Sequence, residues 1–365
     1  MLRVFEAFAG YGSQSITLRN LGIEYEVVAI SEIDKYAIKA YEAIHGPTNN
    51  LGDICKINPS DIPDHDLFTY SFPCQDLSVA GKQAGLGEGT RSGLLYECEK
   101  IIEAKKPKYL LLENVKNLVG KKFKPQFEEW LSYLENLGYT NYWQVLNAKN
   151  YGVPQNRERV FVVSILGDHK PYKFADKIPL DKCIADILEN EVDEKYYLSE
   201  EIQKRFKITN QNKNIIGTTK PKFRTIGQRD LVYDKNGIMG ALVATDYKQP
   251  KQIALPCICA SRGRNPENPS DRTVGATTEQ RFEFNTKGTS NTITTVQKDN
   301  YVVEKTYRIR KLTPRECFRL MGMRDDDIDK IQAAGISNTQ QYKMAGNSIV
   351  VNVLEAIFKN LFMEG

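Results

Sequence analysis

The chain has 365 residues, 41% of them hydrophobic and 26% charged, with a formal net charge of +4. These proportions exclude a disordered chain, a collagen-like fibre and a small disulfide scaffold, and the length suits two domains. No apolar run approaches the ~20 residues of a membrane span, and the start, Met1-Leu2-Arg3-Val4-Phe5-Glu6, has no cationic-then-apolar leader, so a cytoplasmic protein is expected.

Arg3 to Phe8 reads as a buried strand. It runs into Gly10-Tyr11-Gly12-Ser13 and a helix with Ile16, Leu18 and Leu21 that stops at Gly22. Tyr25 to Ile30 is the next strand, and about Lys35 to Ile44 the next helix. Asp66 to Phe72 and, after the breaker Pro107, Lys108 to Leu112 are strands. Phe123 to Leu137 is amphipathic and helical, ending at Gly138, and Val160 to Leu166 is a further buried strand. Strands alternating with helices predict an α/β fold, a parallel sheet with helices on both faces.

Beyond about Gly167 the texture changes. Phe174 to Phe206 is still partly helical in pattern. From about Thr209 to Val303 the chain is rich in Asn, Thr, Gly, Gln and Pro, with short β-type runs at Ala241–Ala244 and Thr292–Val296. That predicts a smaller domain of short strands and long loops. Gln228-Arg229, Gly237 and Ala241-Leu242-Val243 echo Gln280-Arg281, Gly288 and Thr292-Ile293-Thr294, which suits two related hairpins or a chance likeness. Helical pattern returns after Arg310, notably over Ser348 to Leu361. The second domain is therefore expected as an insertion, giving 1–170, 171–305 and 306–365.

Charge is unevenly spread. Lys204 to Arg310 holds 20 Lys and Arg against 9 Asp and Glu, whereas the rest holds 30 against 37. A cationic block in an otherwise acidic chain suits a polyanion-binding module, and equally a solvated basic face. The seven cysteines are scattered and read as free thiols. Cys257-x-Cys259 lies in an apolar run without a nearby His, so no metal site is expected.

Four segments could carry chemistry. In Phe8-Ala9-Gly10-Tyr11-Gly12-Ser13, glycines at a strand-to-helix turn let the backbone approach a nucleotide-like ligand, or simply make a tight turn. Glu32 follows about 20 residues later, where a carboxylate can accept both ribose hydroxyls. Ser15 replaces the third glycine of a dinucleotide fingerprint, which favours an adenosyl ligand without a pyrophosphate, and Gly52-Asp53-Ile54 could close over its ring. Cys74, in Ser71-Phe72-Pro73-Cys74-Gln75, falls just beyond a strand's carboxyl end, where ligands of open α/β sheets bind. It suits a nucleophile, against the alternative of a core cysteine. Glu113 ends another strand and suits a partly desolvated proton donor or a helix-start acid. Alternate residues of an extended run point the same way, so Gln155, Arg157 and Arg159 would form one polar face for acceptor oxygens or phosphates, or a salt-bridged edge.

Read in order, these segments are joined by Arg310-Lys311-Leu312-Thr313-x-x-Glu316-Cys317 and Gly346-Asn347-Ser348. Over about residues 1–166 and 306–365 the series resembles the DNA (cytosine-5)-methyltransferases that use S-adenosylmethionine. The gap between falls where that family carries a variable target-recognition domain. The resemblance implies a Rossmann-like methyltransferase sheet and roles for single residues. Cys74 would add to cytosine C6, Glu113 would act at N3, and Arg159, supported by Arg157, would bind O2. Phe8, Ala9, Gly10, Tyr11, Gly12, Glu32, Ile33, Asp53, Ile54, Pro73, Asn347 and Ser348 would hold S-adenosylmethionine. Gln75, Ser78, Arg91, Gln155, Arg224, Arg229, Arg262, Arg264, Arg272 and Arg281 are the candidates to contact DNA.

Cytosine N3 is paired inside a duplex, so the implied chemistry requires base flipping. Two departures stand out: Glu6-Ala7 where the family usually has Asp-Leu, and Ser71 where it often has Gly. Glu6, with its longer reach, is expected to alter how the cofactor's methionine end is held. The implied protein is an active, monomeric, metal-free DNA methyltransferase of restriction-modification type acting on double-stranded DNA. The competing readings are a tRNA cytosine-5 methyltransferase, an inactive DNA-binding relative and a nicotinamide-dependent oxidoreductase.

Overall fold

The computed structural model describes residues 1–73, 94–203, 205–220, 225–256, 258–268, 279–285, 300–301 and 307–363; at 210–211, 256, 258–264, 280–285 and 300–301 only the backbone is described. The chain forms two compact units. The first comprises Met1–Ile187, Met239–Lys248 and Pro314–Gly365, and the second Leu188–Ile238 and Gln249–Thr313. The first unit thus runs on past the expected boundary at 170, because Ile184 and Ile187 are buried and Ile187 O accepts a hydrogen bond from Arg319 Nη1. It also takes back Met239–Lys248 from the middle of the insertion.

The first unit contains β1 (Leu2–Ala7), α1 (Ser13–Asn20), β2 (Tyr25–Ser31), α2 (Lys35–His45), β3 (Leu67–Tyr70), α3 (Leu95–Lys105), β4 (Tyr109–Val115), α4 (Lys124–Asn136), β5 (Tyr139–Asn147), β6 (Gln155–Asn156) and β7 (Glu158–Leu166). Later segments add β11 (Met239–Gly240), α6 (Pro314–Arg319), α7 (Asp325–Ala333), α8 (Asn338–Asn347) and α9 (Val351–Phe362). Six strands make one sheet in the order β2-β1-β3-β4-β7-β5. Successive residues of a strand point to opposite faces, and Val4, Phe5, Glu6 and Ala7 are all fully buried, so both faces of β1 are covered. Phe5 and Phe68 pair in register and stack at 5.2 Å, and Phe68 stacks on Tyr70 at 5.1 Å. Each such buried side chain contributes roughly 1.5–3 kcal/mol.

The expected all-parallel sheet holds for β2, β1, β3 and β4 only. β7 runs antiparallel to both β4 and β5. β5, which hydrophobic patterning missed, leads to β7 through a short connection at 148–157, too short for the crossover that a parallel pair needs.

The second unit holds α5 (Glu200–Gln203), β8 (Lys207–Asn212), β9 (Ile215–Thr218), β10 (Leu231–Asp234), β12 (Gln252–Pro256), β13 (Ile258–Arg264), β14 (Glu279–Asn285), β15 (Asn300–Tyr301) and β16 (Tyr307–Lys311). Its sheets are β16-β12-β10-β9-β8 and β14-β13-β15, and a small core of Leu198, Val232, Ala254 and Ile309 packs at the first of them. Of the suggested hairpin repeat, Gln228-Arg229 lies in a 3-10 turn and Gln280-Arg281 inside β14, while Gly288 and Thr292–Val296 lie outside the described residues. Among its described residues, the stretch from Phe174 to Phe206 carries only short helical turns at Ile184–Ile187, Glu194–Tyr196 and α5. Cys55, Cys98, Cys183 and Cys317 are not in disulfides. Among the described residues no helix is long and apolar enough to cross a membrane.

Candidate active site

The site starts at the turn between β1 and α1. Gly10 (φ 59) and Gly12 (φ 81) are left-handed, and so is Phe8 (φ 55), an uncommon state for a residue with a side chain. The neighbouring strand holds this backbone: Phe8 N–H donates to Ser31 O at 2.8 Å. Gly12 also permits close packing, since a Cβ there would stand 2.5 Å from His45 Nε2. Burial keeps His45 neutral, with its pKa lowered to about 4, and its Nε2 lies 3.1 Å from Tyr11 O.

Glu32 sits at the end of β2. Its Oε2 accepts from Gly10 N–H at 2.9 Å, and its Oε1 accepts from Ile33 N–H at 2.8 Å and Asp34 N–H at 2.9 Å. A carboxylate offers about four acceptor positions. The backbone takes three of them in this structure. Asn50, which sequence reading did not single out, ties this corner to the next turn: Oδ1 accepts from Glu32 N–H and Gly52 N–H, and Nδ2 donates to Glu32 O.

Glu6 corrects an expectation. It is fully buried, and its Oε1 accepts from Ser15 Oγ at 2.7 Å. Its carboxyl therefore faces α1 and α2, not the ligand space. Burial pushes its pKa up to about 7, against the lowering pull of the Ser15 and Tyr41 hydroxyls.

Glu113 and Arg159 come together because β4 and β7 are antiparallel, with Val115 opposite Arg159. Arg159 Nε stands 3.1 Å from Glu113 Oε1. Burial pushes the Glu113 carboxyl up, opposed by the positive charges of Arg159 and Arg157. Asn114, next along β4, donates from Nδ2 to Phe72 O at 3.1 Å. It fixes the backbone two residues before Cys74. Cys74, Gln75, Ser78 and Arg91 lie outside the described residues.

Gln155 and Arg157 do not form the open polar face expected of them. Gln155 is fully buried; Nε2 donates to Leu320 O at 2.7 Å and Oε1 accepts from Leu242 N–H at 3.1 Å. That removes it from the DNA-contacting candidates, since both ends of its amide meet main chain. Arg157, 3% exposed, donates to the carbonyls of Leu242, Gly346 and Ser348. On the other side Tyr11 Oη donates to Ser348 Oγ at 2.7 Å, and burial raises the tyrosine pKa to about 12. Nothing in the sequence marks Leu242, because its partners Arg157 and Gln155 are 85 and 87 residues away.

These elements enclose a cavity of about 330 Å³. Phe8, Ala9, Gly10, Tyr11, Glu32, Ile33, Asp53, Ile54, Pro73, Asn347 and Ser348 line it; of the residues expected to hold a cofactor, Gly12 alone does not. Glu113, Arg157 and Arg159 line the same space, as do Ser71 and Phe72. Gly10 and Gly52 present bare backbone, with open space where a Cβ would be. The other candidates for DNA contact are not assembled by the described atoms. Arg229 is half-buried in a 3-10 turn of the second unit. Only the backbone is described at Arg262, Arg264 and Arg281, and Arg224 and Arg272 lie outside the described residues.

Comparison with known proteins fits this arrangement. The type II methyltransferase M2.ScrFI of Lactococcus lactis subsp. cremoris is 38% identical, over 99% of this chain and 99% of that protein. The orphan methyltransferase M.SPRI of Bacillus phage SPR is 34% identical, over 99% of this chain and 97% of its own. Among solved structures, the S. pombe Dnmt2 methyltransferase has a TM-score of 0.67 at 19% identity, covering 100% of this chain and 99% of its own. The Entamoeba histolytica methyltransferase EhMeth gives 0.68 at 17%, covering 100% and 98%. These two likenesses establish the shared Rossmann-like fold. A family model described as C-5 cytosine-specific DNA methylase matches residues 2–363. With that match spanning nearly every residue, the chain belongs to the C-5 cytosine-specific DNA methylase family.

Proposed function

We propose that the protein methylates cytosine C5 in double-stranded DNA at a specific sequence, using S-adenosylmethionine. The observation that carries this reading is the pairing of buried Glu113 with half-buried Arg159, 3.1 Å apart, in the wall of the cavity that the Phe8–Tyr11 turn, Glu32 and Pro73 also line. The cofactor fits these residues. Phe8, Ile33 and Ile54 offer apolar faces for its adenine, and Glu32 and Asp53 offer acceptors for hydroxyl and amino donors. When bound there, S-adenosylmethionine supplies an electrophilic methyl group.

The chain's own residues would do the rest. The Cys74 thiolate adds to C6 of a flipped-out cytosine, Glu113 gives a proton or hydrogen bond to N3, and Arg159 stabilises charge on O2. Addition turns C5 into an enamine carbon, nucleophilic enough to take the methyl group. Loss of the C5 proton and expulsion of Cys74 then restore the ring. Burial of Glu113 favours its protonated form, which this role needs. The basic stretch from Lys204 to Arg310 supports a polyanionic substrate, with phosphate contacts offsetting the cost of flipping.

The test is conversion sequencing of plasmid DNA from cells expressing this chain, beside a Cys74→Ala control. Methylated cytosines within one short motif, absent from the control, are expected. Their absence from cells holding soluble protein would refute a DNA substrate. New 5-methylcytosine in tRNA of the same cells would establish the RNA alternative.

A further inference from the structure

Arg157 belongs to the arginine motif and was expected to support Arg159 at cytosine O2, yet its guanidinium is directed at main chain. Nη2 donates to Gly346 O at 3.1 Å and Ser348 O at 2.8 Å, and Nη1 donates to Leu242 O at 2.7 Å. Arg159, two residues on, meets Glu113 instead. We propose that Arg157 is a positioning residue that staples the Gly346–Ser348 wall of the cofactor cavity to the Leu242 turn, and not a ligand of the base. This rests on the methyltransferase reading above.

Three further observations bear on it. First, the two stapled stretches touch: a Cβ on Gly346 would stand 2.3 Å from the Val243 carbonyl carbon and 2.4 Å from Ala244 N, so only glycine fits. Second, Leu242 is held at both backbone groups, its N–H by Gln155 and its carbonyl by Arg157. Third, Tyr11 anchors the Ser348 side chain from the opposite wall. Three carbonyl dipoles converging on one buried point repel one another unless a cationic fork lies between them. Without the fork, the carbonyls of Gly346 and Ser348 lose their side-chain donor, and the cavity wall carrying Asn347 and Ser348 loses its tie to the Leu242 turn.

Arg157→Lys separates the two roles. It keeps the positive charge that acts on Glu113, but one ammonium cannot reproduce the fork. Two quantities are measured: the dissociation constant of S-adenosylmethionine by calorimetry, and cofactor-free exchange of the cytosine C5 hydrogen of DNA with solvent. In that exchange the Cys74 thiolate adds to C6, C5 takes up a solvent proton and releases the original one, and Cys74 leaves. The expected result is cofactor binding weakened at least about tenfold, with C5 exchange still retained in the folded variant. Loss of exchange in the folded variant, or unchanged cofactor binding, overturns the proposal. If Arg157→Lys does not fold, the parent protein supplies a second readout. Adding S-adenosylmethionine should slow backbone hydrogen exchange at 242–246 as well as at 346–348, and protection confined to 346–348 overturns the staple. A parent protein that neither binds S-adenosylmethionine nor exchanges C5 hydrogen overturns the methyltransferase reading itself, a distinct outcome.

Discussion

Replacing Glu6 with Gln should make the first unit more stable at alkaline pH and leave it unchanged at acid pH. Glu6 is fully buried in β1 beneath the Phe8–Gly12 turn, and its pKa rises from 4.5 to about 7. A carboxyl whose folded pKa is raised binds its proton more tightly in the folded state. Its contribution is therefore intact below pH 4.5, is lost as pH climbs to about 7, and stays lost above that. At about 1.36 kcal/mol per pK unit the loss reaches roughly 3 kcal/mol. Gln keeps an oxygen that can accept from Ser15 and cannot ionise. Both tryptophans, Trp130 and Trp143, lie in the first unit, so fluorescence-detected urea unfolding reports on the right part of the chain. The gain of Glu6→Gln over the parent should grow from near zero at pH 4.5 to roughly 3 kcal/mol at pH 8. Stability curves that stay parallel across this range would refute the buried-acid account.

Glu113→Gln should slow the single-turnover methylation step by about 10²–10⁴. Because burial raises the Glu113 pKa, the parent should stay active above the usual carboxylate range and lose rate as pH passes that raised value. The loss should vanish from the variant's pH–rate profile, and a profile identical to the parent's would remove Glu113 from proton delivery. Gly12→Ala combines φ 81 with a Cβ 2.5 Å from His45, so it should cost about 1–3 kcal/mol and weaken cofactor binding. Gly10→Ala, at φ 59 with open space around its Cβ, should cost less in thermal denaturation; equal losses would contradict the steric argument.

Much of this site is legible in the sequence, because its chemistry sits where strands end. The turn after β1, Glu32 and Glu113 are each marked by a local pattern, and the structure gathers them around one cavity. What escaped is of two kinds. Strand direction at β5 and β7 is invisible to hydrophobic periodicity, which reports a buried face and not its orientation. The second kind is side chains that serve distant backbone. Gln155 and Arg157 look like a ligand-binding face from their alternation, but their partners Leu242, Leu320, Gly346 and Ser348 lie 85 to 191 residues away. Asn50 and Asn114 likewise hold main chain, and residue type alone does not separate that from a surface amide. Glu6 was read by analogy with a shorter acid at the same place, whereas its buried hydrogen bond to Ser15 turns it away.

Under the proposed function, with the second unit reading the target, the return of Met239–Lys248 to the first unit bears on how such a protein could change its target. A contiguous cassette cut from 188 to 313 carries that stretch with it. The incoming stretch would have to present a backbone N–H and carbonyl to the host's Gln155 and Arg157, and close against a host glycine at 346. A two-piece exchange of Leu188–Ile238 and Gln249–Thr313, leaving the intervening ten residues native, avoids that matching problem. Recombination that shuffles specificity among such chains should then leave a short island of host sequence inside an otherwise foreign insert.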